Sequence, residues 1–159
     1  MTNAAPPSPI VVGTDGSAAS GPAVRFALQE SQLRGTGLRA VCAYDFATRY
    51  SGFEWPAVSG FVDLDTQLRD TTWEAVTKAL EEAREQVGGP PVEVEIRVEQ
   101  GRPSQVLLDA SEDACLLVVG SRGSGAWGRL TLGSTSTEVV HHAPLPVVVV
   151  PGGQPGRPS

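Results

Sequence analysis

Residues 115–136, CLLVVGSRGSGAWGRLTLGSTS, decide more of the fold than any other stretch of the chain. The first five form a continuous apolar run, which suggests a strand buried on both faces. A glycine-rich loop, residues 120–132, follows and leads to Gly133 and a helix expected to end near His142. Beyond it, Pro144-Leu145-Pro146 breaks the chain before a last apolar strand, Val147–Val150.

Upstream, the same alternation repeats. Residues 10–14 read as a buried strand followed by Asp15-Gly16-Ser17, with Ser17 as a helix N-cap. Val24, Ala27, Leu28 and Ser31 line one face of that helix. Pro22 suits its first turn, and Gly35 and Gly37 end it. A second strand is expected over 38–44. Residues 46–66 show no clear element yet hold five of the nine aromatics, and we expect this insert to cover part of a site. A long helix over 63–87 carries Val76, Leu80, Ala83 and Val87 on one stripe and stops at Gly88-Gly89-Pro90-Pro91. Residues 92–98 alternate apolar and charged, as a strand near a sheet edge does. A short helix over 103–111 returns the chain to residue 115. The order is βαβαβαβαβ, which implies an α/β domain with a parallel sheet and right-handed crossovers. Ligands of such sheets bind beyond the carboxyl ends of the strands, where strand order reverses. The candidate site is therefore built from residues 14–17, 43–45 and 120–134.

Composition narrows the function. The chain has 159 residues, 40% of them apolar and 19% charged, enough for one domain with a real core. We expect an ordered domain over 10–151 between loose tails at 1–9 and 152–159. No apolar run approaches a membrane span. Residues 1–9 hold no basic residue and no long apolar block, so no secretory leader is expected. A net charge of −6 speaks against general binding to nucleic acid. Cys42 and Cys115 are too few for a disulfide framework or a thiolate zinc site. His141 and His142 suit a helix C-terminus better than a metal. Glu81, Glu82 and Glu85 read as a solvated helix face.

The glycine loop carries the chemistry. Its amides and the N-terminus of the next helix favour an anion, and Ser134, Thr135 and Ser136 add hydroxyls. From Ala114 to Thr137 there is no acid, only Arg122 and Arg129, a local charge of +2 suited to a polyphosphate. The plainer alternative is a surface loop whose glycines and Trp127 serve packing. No Gly-Lys-Ser/Thr occurs, so a lysine P-loop is excluded. Gly123-Ser-Gly125-Ala-Trp-Gly128 matches a dinucleotide turn in letters only. It lies in the last quarter of the chain, and the strand after it ends without an acid. Asp15, at a strand end, can accept ligand hydroxyls or hold hydrated Mg²⁺; alternatively it serves the following helix dipole.

With these motifs the chain resembles the universal stress proteins of the ATP-binding type. Gly120, Gly123, Gly133 and Ser134 match the family spacing Gly-x2-Gly-x9-Gly-Ser/Thr. Val12-Gly13-Thr14-Asp15-Gly16-Ser17 and His142-Ala143-Pro144-Leu145-Pro146-Val147 are similar to its first-strand and C-terminal signatures. The resemblance implies a five-stranded parallel sheet in the order 3-2-1-4-5 with helices on both faces, and a cytoplasmic homodimer. It implies ATP with Mg²⁺ at this site. Gly120, Gly123, Gly133 and Ser134 would hold phosphates, Thr14 and Asp15 would meet ribose or metal, and the Ala43 backbone would meet adenine. Thr135 stands where valine is usual, and its N–H still suits phosphate. Ala126 replaces a frequent glycine. Pairing of Val147–Val150 with a second copy would hide an apolar edge. The expected role is nucleotide-dependent regulation in a stress response. The alternatives are slow ATP hydrolysis, for which Asp15 is the one candidate base, and a nucleotide-free dimeric interaction protein.

Overall fold

A computed structural model describes residues 4–44, 61–121 and 132–152. Expectations for residues 46–60 of the insert, for Arg122, Gly123, Ala126, Trp127 and Arg129, and for residues 1–3 and 153–159 fall outside the described residues, whereas 61–66, expected to lack an element, is helical.

The first strand, β1 (Ile10–Gly13), is apolar because both its faces are covered. Ile10, Val11 and Val12 are fully buried. Successive side chains of a strand point to opposite faces. Ile10 and Val12 therefore enter one core and Val11 the other. β1 pairs in parallel with β2 (Leu38–Tyr44) and with β4 (Leu116–Gly120). β2 carries β3 (Val94–Gln100), and β4 carries β5 (Val147–Val150), both parallel. The order is β3-β2-β1-β4-β5, as the resemblance implied.

The helices α1 (Gly21–Arg34) and α2 (Phe61–Val87) cover one face through Val24, Leu28, Val76 and Leu80. The helices α3 (Pro103–Ala110) and α4 (Ser134–His142) cover the other through Val106, Leu107 and Val139. Chain order reverses between β1 and β4, and that switch point places the site at the carboxyl edge of these two strands.

One boundary differs instructively from the sequence expectation. Ser17 does not cap α1. Its hydroxyl turns back to Asp15, a 3₁₀ turn over Ala18–Ser20 follows, and the α-helix begins at Gly21. The competing local hydrogen bond wins over the cap, as short polar side chains often allow.

The second core contains a charged residue that no apolar pattern foretells. Arg39 on β2 is 7% exposed. Its Nη1 donates to the Ala110 carbonyl at 2.8 Å and to Asp113 Oδ1 at 2.6 Å. Its Nε donates to Glu95 Oε2 on β3 at 2.8 Å. The guanidinium thus joins two strands to the end of α3. It also holds the Asp113 and Glu95 carboxyls below the usual carboxylate range.

We expect Arg39→Ala to cost about 1–3 kcal/mol, because the Ala110 carbonyl and both acids lose their shared donor. Stability lent by a carboxyl of lowered pKa is complete above its unfolded value of about 4 and is lost as pH falls through the folded one. Both acids are substantially exposed, so that pH-dependent part is about 1 kcal/mol or less. Urea unfolding at pH 7 and pH 3 checks both points: the variant should be less stable at pH 7 and lose less on acidification.

Candidate functional site

The loop leaving β1 is fixed by its own side chains. Thr14 is buried, and its N–H extends the β1–β2 ladder to Val41 O at 3.0 Å. Its hydroxyl lies 2.8 Å from Ser20 Oγ and accepts the Gly16 N–H at 3.1 Å. Ser20 Oγ in turn donates to Ser17 O. Asp15 Oδ1 accepts the Ser17 N–H at 2.9 Å and the Ser17 hydroxyl at 2.5 Å. Its other oxygen has no bond to the described residues, and the side chain is exposed. Asp15 therefore presents one carboxylate oxygen outward on a braced turn. Gly16 adopts φ +75°, a conformation that side chains disfavour, and packs on Ala75 of α2.

Beside this turn, β4 ends at Gly120, whose register partner on β5 is Val150. Ser121 then becomes a junction. Its N–H donates to Val150 O at 2.9 Å, its carbonyl accepts the Gly133 N–H at 2.9 Å, and its hydroxyl accepts the Gly152 N–H at 3.2 Å. The two ends of the glycine loop are thus stapled together and to the exit of β5. One expected donor, the Gly133 amide, is engaged in that staple. The backbone of Gly133 has φ −60°, open to any residue, so a left-handed turn is not what calls for glycine there.

Gly133 is also the N-cap of α4 and has no side chain with which to cap it. The first turn, Ser134-Thr135-Ser136, contains no acid. Ser136 is buried and its hydroxyl donates to Gly133 O at 2.9 Å. Ser134 is exposed and Thr135 half-buried. Among the described residues, the first-turn N–H groups receive no side-chain cap. They form the partial positive end of the helix dipole, a setting that favours an anion.

The remaining expected residue, Ala43, is half-buried near the end of β2 and packs toward the second core. Its neighbour Tyr44 turns to the first core. Burial, followed by the charge of Asp65, raises its phenol above the usual range. Thr14, Asp15, Ala43, Gly120, Gly133, Ser134 and Thr135 thus lie on segments that reach the carboxyl edge of the sheet. Asp15, the Ser134 hydroxyl and the uncapped amides are chemically suited to a phosphate and to a hydrated divalent cation bridging it. No group of three or more His, Cys, Asp or Glu side chains suited to a metal occurs among the described residues.

Sequence reasoning missed a cluster nearby. Glu138 of α4 accepts from Ser104 Oγ at 2.5 Å and pairs with Arg102 at the start of α3. The Ser104 hydroxyl and then the Arg102 guanidinium hold its carboxyl below the ordinary range. No local signal links residues 36 positions apart.

A doubly wound parallel sheet with an uncapped helix N-terminus near its switch point defines an α/β domain whose carboxyl edge is chemically suited to an anion. Known proteins narrow the class. The model of the universal stress protein family matches residues 7–151. A universal stress protein of Mycolicibacterium smegmatis is 36% identical over 146 residues, covering 90% of this chain and 48% of that protein. The chain belongs to the universal stress protein family. It spans about half the length of the curated relatives it matches. Among solved structures, a universal stress protein of Lactobacillus plantarum shares the fold with a TM-score of 0.70 at 24% identity, covering 92% of this chain and 99% of that one. A universal stress protein solved in complex with cAMP aligns with a TM-score of 0.64 at 25% identity, covering 94% of this chain and all of the other. No helix among the described residues is long and apolar enough to cross a membrane.

Proposed function

We propose that this protein binds ATP with Mg²⁺ at the carboxyl edge of β1, β2 and β4, and acts as a nucleotide-dependent regulator in a cytoplasmic stress response. The observation that carries this reading is the uncapped N-terminus of α4 set beside the braced turn that presents Asp15. Adenine would rest against the backbone at Ala43. Phosphates would take the Ser134 and Thr135 amides and the Ser134 hydroxyl, together with Gly120, Gly123 and Arg122 on the intervening loop. Because the Thr14 hydroxyl is engaged inside its turn, contact with ribose there runs through main chain. The outward oxygen of Asp15 would hold a water of the Mg²⁺ shell. The engaged Gly133 amide leaves the phosphates to its neighbours. The cAMP complex of a relative supports an adenine nucleotide as the ligand class.

Calorimetric titration with ATP and Mg²⁺, followed by an assay for ADP, tests the reading. Heat of binding without ADP supports a regulator, ADP release supports a slow ATPase, and no heat overturns the site. Asp15→Asn keeps an oxygen for the Ser17 bonds but removes the charge. We expect it to weaken Mg-ATP about tenfold, as loss of one charge-assisted bond does, with the melting temperature little changed.

A second copy is the proposed protein partner. All four valines of β5 are only half-buried, and among the described residues no further strand pairs beyond it. An unguarded apolar edge favours pairing with a copy of itself.

A further inference from the structure

We propose that Arg102 is a specificity-determining residue that reads the outer phosphates of the bound nucleotide. In this view it is released from Glu138 when a polyphosphate occupies the N-terminus of α4. The inference rests on the nucleotide reading above and deepens it.

Three placements support it. First, Ser134 and Glu138 are four residues apart on α4 and so share one face of the helix. The rise between them is about 6 Å, one helical turn. Arg102, paired with Glu138, therefore stands about one turn below the group proposed to hold phosphate. Second, its side chain is 71% exposed, so it is free to swing along that face. Third, residues 114–137 contain no acid, and Glu138 is the first carboxylate after them. Within the α4 segment itself, the first negative charge is thus the one that holds Arg102.

The exchange is cheap. An exposed ion pair adds little stability, whereas a guanidinium on a phosphate makes two parallel charge-assisted bonds. Glu138 does not lose all its partners when Arg102 leaves, because the Ser104 hydroxyl still donates to it. A nucleoside monophosphate, whose single phosphate is satisfied by the helix amides, would leave the pair undisturbed. A triphosphate extends further and offers Arg102 more charge than one carboxylate does. The arrangement discriminates nucleotides by phosphate number.

The test is calorimetry on the full chain with ATP and with AMP, comparing the unaltered protein with Arg102→Ala, Arg102→Lys and Glu138→Gln. We expect Arg102→Ala to weaken ATP about tenfold and AMP less than twofold. Arg102→Lys, which keeps charge but loses the planar fork, should fall between. Glu138→Gln frees the guanidinium and should tighten ATP severalfold without tightening AMP. Equal loss for ATP and AMP in Arg102→Ala, or no loss for either, would overturn the role of Arg102 while leaving the site itself standing. If the unaltered chain binds neither nucleotide, the functional reading fails and this inference fails with it. A structural role alone would show instead as a lower melting temperature with the ATP-to-AMP ratio unchanged.

Discussion

Gly16→Val is expected to lower stability by about 2–4 kcal/mol and to weaken ATP more than tenfold. Two costs add. A β-branched residue held at positive φ carries about 1–3 kcal/mol of backbone strain. A Cβ at this position would also lie 2.9 Å from Ala75 Cβ and 3.0 Å from the Ala75 carbonyl carbon. The latter belongs to the backbone of α2, so the turn must move rather than the helix. Overpacking of this kind costs about 1–3 kcal/mol. The shift would break the Gly16 N–H bond to Thr14 and rotate Asp15 away from its braced position. Thermal unfolding and calorimetry measure the two effects separately. For a chain of this size the melting temperature should fall by about 5–15 °C. A variant with unchanged melting and unchanged affinity would show that the turn does not depend on its contact with α2.

Val149→Lys is expected to separate the proposed dimer. A lysine in the middle of the paired edge must either bury an ammonium or push the partner away. Losing the central contact of an interface costs about 2–4 kcal/mol, a weakening of the dimer by about a hundredfold. Light scattering at micromolar concentration should then read 16.6 kDa instead of twice that mass. Val149 also packs against the second core, so the variant should melt at a lower temperature, while circular dichroism below that transition should still show a folded sheet. If the unaltered chain already reads as a monomer, the pairing proposal falls. A variant that stays double in mass places the contact elsewhere.

How much of this was legible in the sequence follows from the range of the forces involved. β5 was readable to the residue, because a continuous apolar run bounded by Pro leaves little choice, and β2 was nearly as plain, being apolar but for Arg39 between Gly37 and Asp45. The edge position of β3 followed from its alternating charges. The start of α1 was misplaced because two local hydrogen bonds compete for one serine, and periodicity cannot weigh them. The helix spanning Phe61–Val87 begins two residues earlier than its apolar stripe suggested. Among the candidate site residues, Gly120, Gly133, Asp15 and Ser134 were singled out by spacing and resemblance, and the structure sets them on segments at the carboxyl edge of the sheet. That Thr14 spends its hydroxyl inside the turn, and that Gly133 spends its amide on Ser121, depends on tertiary geometry. Arg39 and Arg102 were invisible for the same reason. Each finds its acids on segments far away in the chain, where no periodic signal reaches.

The two sides of the sheet are not equivalent. On the outer strand at one end, Glu95, Arg97 and Glu99 alternate with the apolar residues, and the outer strand at the other end is four valines in a row. Charges on a border strand repel further strands, so growth by addition is possible in one direction only. When two copies meet valine to valine about a twofold axis, each turns its charged border outward. The ten-stranded assembly of the proposed dimer would then present only charged borders, which disfavour addition of a third copy.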